Sequence, residues 1–188
     1  MFLSVFDIFK VGVGPSSSHT MGPMVAGGQF LDRVRALPFH AHGLRASLHG
    51  SLAFTGVGHA TDRATILGLA GLLPDTYDHD VAEKTLAQIN ETGEINAPGL
   101  NPLKFNPKED LQFDYGPNLP GHANGMILMA TDAQGDIILQ ETYYSIGGGF
   151  VLTADELAAG KATDEGAPVP YPFKSAAEML DMAKASGK

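Results

Sequence analysis

Residues Gly12 to Ala26 read GVGPSSSHTMGPMVA. Three serines, a histidine and a threonine stand between glycines and prolines, just ahead of a helical pattern. Gly12 and Gly14 reach φ values that other residues avoid, and Pro15 fixes the entry. Ser16, Ser17, Ser18 and Thr20 supply hydroxyls. The helix start behind them supplies N–H groups and a partial positive charge, a setting for a carboxylate or phosphate. His19 adds a group that can orient a ligand or move a proton near neutral pH. A serine-rich helix cap with an incidental histidine fits the same residues. The loop is neither a Walker loop, lacking GxxxxGK[ST], nor a GxSxG nucleophile elbow.

A second polar cluster, GSLAFTGVGHATDRA, runs from Gly50 to Ala64. Gly56 and Gly58 bend the chain and His59 projects beside Thr61 and Asp62. Asp62 either orients the imidazole or caps the following helix; a strand-to-helix turn with a surface histidine is the plainer reading. Two imidazoles, each on a glycine-bent loop before a helix, point to one small polar ligand gripped from both sides. In HANGM, His122 to Met126, Asn124 offers a donor and an acceptor to an amino-acid-like ligand, although Asn-Gly is also an ordinary turn. In YYSIGGGF, Tyr143 to Phe150, three glycines allow close backbone approach, or mark a bulge. His40, His42, His49 and His79 have no metal-ligand spacing with carboxylates and read as strand or surface residues; no metal site is expected in this chain.

Outward from these loops, apolar spacing predicts a helix over Pro23 to Leu37, capped by Thr20 or Ser18, and a short helical turn over Ser4 to Lys10. A strand follows over Ala41 to Leu52. A helix capped by Thr61 or Asp62 runs to about Leu73, and another spans Val81 to Glu91 with Gly93 as its exit. Strands are predicted at Leu111–Tyr115, at Met126–Ala130 and Ile137–Tyr144 as a hairpin around Asp132–Asp136, and at Phe150–Leu152. After Ala154 the chain turns small and polar, as linkers do, before a helix over Ser175 to Ala185. The expected fold is α/β (α+β), a mixed sheet of about four strands with helices packed on it.

The 188 residues carry a net charge of −9, which argues against nucleic-acid binding. No apolar stretch is long enough to span a bilayer. Met1 to Val13 lacks the pattern of a secretory leader, so the cytoplasm is the expected location. With no cysteine, the chain can form no disulfide and hold no thiolate-ligated cluster by itself.

Taken in order, SVFDIFKVGVGPSSSHTMGPM, GSLAFTGVGHATD, HANGM and YYSIGGGFV resemble the iron–sulfur L-serine dehydratases, in the N-terminal β domain of the single-chain bacterial form. VPYPFKSAAEML, Val169 to Leu180, resembles the passage into their α catalytic domain. The resemblance implies a β domain over 1–154, a linker over 155–174 and the truncated start of the α domain over 175–188. It implies deamination of L-serine to pyruvate and ammonia, with a four-iron, four-sulfur cluster as Lewis acid and no pyridoxal phosphate. The cluster's cysteines would lie in the α domain, so this chain alone is expected to be inactive. By the same resemblance His59 is the general base and His19 its catalytic companion. Ser16, Ser17, Ser18 and Thr20 would hold the substrate carboxylate, and Asp62 and Asn124 would orient the ligand. The implied partners are L-serine, an α domain or subunit, and further copies in a homo-oligomer. The domain also resembles the allosteric substrate-binding domain of some phosphoglycerate dehydrogenases, which leaves a non-catalytic serine- or anion-binding regulatory domain as the alternative.

Overall fold

The computed structural model describes residues 13–160, 171–173 and 175–187. The helical turn predicted at Ser4 to Lys10 lies outside them. Helix α1, Met21–Arg35, begins the described fold, and strand β1 spans Gly43–Gly50. Two one-turn helices follow, α2 at Ser51–Phe54 and α3 at Gly56–His59. Then come α4, Thr61–Leu69, a 3₁₀ turn at Pro74–Thr76, and α5, His79–Thr92. Gly93 ends α5 in the left-handed conformation at φ 67°, the exit its position predicted.

Strands β2 (Glu94–Ile95), β3 (Leu103–Lys104), β4 (Leu111–Asp114), β5 (Asn124–Thr131), β6 (Ile137–Gly147) and β7 (Phe150–Thr153) complete a mixed seven-stranded sheet. Its order is β2-β3-β1-β5-β6-β7, with β4 also on β1. β1 runs parallel to β3 and β4 and antiparallel to β5, while β5, β6 and β7 form an antiparallel meander. The sheet is thus larger than the expected four strands. The two-residue strands β2 and β3 lie in a segment rich in Asn and Pro, where two residues cannot show an alternating pattern.

Alternation decides which face is covered. Leu44, Ala46 and Leu48 of β1 share a face with Met126, Leu128 and Ala130 of β5 and Tyr143 of β6, all at most 1% exposed. Phe30 and Leu31 of α1 are fully buried and belong to the same core, Phe30 meeting Tyr143 edge-on. Truncating a phenylalanine so placed costs about 3–5 kcal/mol. Helices α1 and α4 cross backbone to backbone: a Cβ on Gly27 would lie 2.5 Å from the carbonyl carbon of Gly68. Only hydrogen fits there, so both glycines are packing residues.

Two predicted caps are corrected. Thr20 stands at the N-cap of α1 but makes no side-chain cap hydrogen bond. The N-cap of α4 is Ala60, left-handed at φ 58° and again without a side-chain bond, rather than Thr61 or Asp62. Inside the stretch read as linker, α6 forms at Ala154–Ala158 behind a capping box of Thr153 and Glu156. The T-x-x-E spacing was its visible signal. Helix α7, Ala176–Ser186, is capped by Ser175 and contains no buried residue.

Candidate active site

The four polar motifs meet at one end of the sheet. β1 ends at Gly50, whose register partner is Asn124 at the start of β5. Antiparallel pairing of β5 with β6 carries the end of β6, Ser145 to Gly147, to the same edge. Gly50, at φ 57° and ψ −130°, turns the chain from β1 directly into α2, a conformation open mainly to glycine. The Ser51 N–H then bonds the Ala123 carbonyl at 2.8 Å, tying the HANG turn to the second cluster.

His19 joins the two clusters. Its Nδ1 lies 3.0 Å from Ser18 Oγ and 3.3 Å from Ser16 Oγ, within its own loop. Its Nε2 reaches across to α2, 2.9 Å from Thr55 Oγ1 and 3.2 Å from Ser51 Oγ. The ring is 7% exposed. Burial pushes its pKa below the ordinary imidazole value, the Ser51 carbonyl raises it in part, and His59 beside it lowers it again. The rings of His19 and His59 are 4.7 Å apart, centre to centre, and tilted by 37°.

His59 is held by one hydrogen bond, 2.8 Å from Nδ1 to the Thr55 carbonyl. A carbonyl only accepts, so Nδ1 donates, and in the neutral ring the lone pair is then on Nε2. That is the state a general base needs. No carboxylate among the described residues forms an ion pair with either imidazole. Asp62 lies in the first turn of α4, and no hydrogen bond joins it to His59 among the described residues. The imidazole of His59 is oriented by the Thr55 carbonyl, not by Asp62.

Part of the loop's backbone is engaged within the loop and helix. The N–H groups of His19, Thr20, Gly22 and Met24 already bond the carbonyls of Ser16, Ser17 and Thr20, and Pro23 has none. Among the described residues the N–H groups of Ser17 and Ser18 have no such partner, so the loop offers these amides together with its hydroxyls and the helix dipole. Thr20, expected to touch ligand, is 2% exposed and donates to the carbonyls of Ser16 and Val13. It shapes the loop. Ser17 Oγ accepts the Gly148 N–H at 3.3 Å, which brings the triple-glycine turn onto the serine loop. Asn124 donates Nδ2 to the Ser145 carbonyl at 3.1 Å, an orientation that leaves Oδ1 as its acceptor.

Ser51 and Thr55 were not singled out in the sequence. Their signal was the spacing Ser51, Thr55, His59, four residues apart twice, which lines one face of a helix. Gly56 and Gly58 hid it by making the segment look like a loop. An apolar cavity of about 800 Å³ contains neither imidazole, but Met21 and Gly149 in its wall adjoin the cleft.

The chain has no cysteine, and no group of three His, Asp or Glu that could hold a metal ion occurs among the described residues. Its own residues do not fit the role of cluster ligands.

Comparison with known proteins finds similarity to L-serine dehydratases. L-serine dehydratase of Streptomyces coelicolor is 41% identical over 189 residues, covering all of this chain and 42% of that protein. L-serine dehydratase 2 of Escherichia coli K12 is 43% identical, covering 98% of this chain and 40% of the relative. L-serine dehydratase of Haemophilus influenzae is 42% identical, with 98% and 41% covered. The chain spans about two fifths of the length of these curated relatives. Residues 4–156 match the family of the serine dehydratase beta chain, and the chain belongs to that family.

Proposed function

We propose that this chain is the β-domain portion of an L-serine ammonia-lyase, which converts L-serine to pyruvate and ammonia. The observation that carries the reading is the pair of imidazoles 4.7 Å apart, free of carboxylate partners among the described residues, with His59 bonded through Nδ1 and its Nε2 without a protein partner there. The substrate carboxylate would lie against Ser16, Ser17 and Ser18 at the start of α1, whose dipole favours a negative charge. Asn124 Oδ1 would accept from the substrate ammonium. His59 Nε2 would take the Cα proton, a step worth about 10²–10⁴-fold when a positioned base performs it. Buried His19 would stay neutral and keep the two loops in register, with Thr20 bracing the serine loop from below. Asp62 has no assigned contact in this scheme.

The chemistry missing from these residues is stabilisation of the departing hydroxide. A four-iron, four-sulfur cluster would supply it as a Lewis acid, with ligands outside this chain and without pyridoxal phosphate. We assign 1–154 to the β domain, 155–174 to the linker and 175–188 to the first element of the α domain. Helix α7, with Met179 and Leu180 exposed, supports that division because an apolar face of this kind belongs against a partner. A cytoplasmic location and a homo-oligomer complete the proposal.

The test is reconstitution. The chain is combined with a cluster-loaded α portion of a relative, and pyruvate is measured with L-serine. Turnover that disappears with His59→Asn supports the reading. Near-normal turnover in that variant removes His59 as the base. Calorimetric binding of L-serine by the chain alone, with no turnover on reconstitution, would replace catalysis with a regulatory serine-binding role.

A further inference from the structure

We infer that Thr55 is a positioning residue that locks the two cleft imidazoles in opposite tautomers, His59 protonated on Nδ1 and His19 on Nε2. Thr55 alone among the described residues bonds both rings, its carbonyl to His59 and its hydroxyl to His19. The hydroxyl has one proton, which it donates to the Ser51 carbonyl at 2.8 Å. Toward His19 Nε2, Thr55 Oγ1 therefore accepts. The Ser51 carbonyl, 3.3 Å from the same nitrogen, can only accept as well. On the other side of the ring, Nδ1 faces the hydroxyls of Ser18 and Ser16, which have protons to give. The Ser51 hydroxyl, 3.2 Å from Nε2, can accept or donate; the contacts that accept only, with the serine hydroxyls at Nδ1, ask for one arrangement, a proton on Nε2 and a lone pair on Nδ1.

The two rings thus divide the work. The lone pair of His59 is on the nitrogen with no protein partner among the described residues and is open to a ligand. The lone pair of His19 is turned away, occupied by Ser18. The Ser18 proton is then committed to His19, leaving the protons of Ser16 and Ser17 to face a carboxylate; Ser17 Oγ already accepts the Gly148 N–H and keeps its own proton free. Thr55 acts on the proton acceptor through its backbone and on the neighbour through its side chain, so substitution separates the two effects.

The catalytic consequence rests on the proposed role of His59, but the tautomers are read without substrate or cluster. The chain is labelled with ¹⁵N-histidine and long-range ¹H–¹⁵N spectra are recorded at about pH 8, above the ordinary imidazole range. The expected result is a single-tautomer Nδ1–H pattern for His59 and a single-tautomer Nε2–H pattern for His19. In Thr55→Val, whose side chain is exposed, His19 loses its single-tautomer pattern and moves toward the exchange average, while His59 keeps its own. Thr55→Ser restores the wild-type pattern. The same tautomer on both rings of the wild type, or unmoved His19 nitrogens in Thr55→Val, overturns the inference. Failure of reconstituted turnover with both patterns intact counts against the proposed reaction and leaves the role of Thr55 standing.

Discussion

Two buried histidines, His19 in the cleft and His49 in β1, each bond a serine, and they differ by one carboxylate. His49 Nε2 lies 2.9 Å from Ser47 Oγ, and its Nδ1 is 3.5 Å from Asp114 Oδ2 on the neighbouring strand. Among the described residues His19 bonds only hydroxyls and the Ser51 carbonyl, with a second imidazole tilted beside it. Burial lowers the pKa of both; Asp114 opposes that for His49, whereas His59 adds to it for His19. Under the proposed function the difference separates a structural from a receptive histidine. A carboxylate beside an imidazole stabilises its charged form and competes with any anionic ligand. The carboxylate-binding role proposed for the cleft gives it reason to exclude acidic side chains, and β1–β4 pairing has no such reason.

The sharpest break of this comparison is substitution of one histidine from each region in the reconstituted enzyme. His59→Asn is expected to lower kcat by about 10²–10⁴-fold, and His49→Asn to leave it within a few-fold, both measured as pyruvate release. Equal losses would mean that the two regions are not functionally distinct.

Next in size is transplanting the missing carboxylate. Ser51→Asp sets an acidic group beside His19 Nε2 and is expected to raise the His19 pKa, against the effect of burial. NMR titration of the chain reads the shift, and the KM for L-serine in the reconstituted enzyme should rise.

A smaller effect concerns acid stability. The folded pKa values of His19 and His49 lie below the ordinary value, so the unfolded chain binds more protons as the pH falls. The stability these neutral histidines contribute is fully present above about pH 6.5 and is lost as the pH falls toward the folded values. Urea midpoints should therefore decline on acidification from neutral pH. Asp114→Asn removes what holds the His49 pKa up, and the decline should become steeper. A shallower decline would show that Asp114 does not support the charged form of His49.

The smallest effect is expected at Ser145. Its hydroxyl is fully buried without a hydrogen-bond partner, unlike the engaged hydroxyls of Ser18 and Thr55. Ser145→Ala should change stability by less than about 1 kcal/mol, in the stabilising direction if at all, because Asn124 is held by the backbone carbonyl of residue 145. A denaturation curve settles the sign, and a large loss would reveal a role for the hydroxyl.

The long elements were legible because their patterns are local. The apolar spacing of Met24, Phe30, Leu31 and Val34 announces α1, and alternation at Leu44, Ala46 and Leu48 announces β1. The sequence pattern gives Ser51 and Leu52 to the strand over Ala41 to Leu52 and makes Gly56 and Gly58, poor helix residues, a bend; the structure ends β1 at Gly50 and forms the one-turn helices α2 and α3 there. The caps failed for a related reason. A threonine or aspartate at the right position is only an available acceptor, and Thr20 was drawn to loop carbonyls instead.

By itself, the order of residues determined which groups were available: two imidazoles on glycine-bent segments, a run of hydroxyls, and no thiol. These follow from composition and from backbone preferences within a few residues. Only the tertiary structure decided that the imidazoles lie side by side, that Thr55 and Ser51 bond them, and that Asp62 stands apart. Those facts depend on sheet register and on the backbone contact of Gly27 with Gly68, where residues distant along the chain must fill the same volume, and no local pattern encodes that constraint.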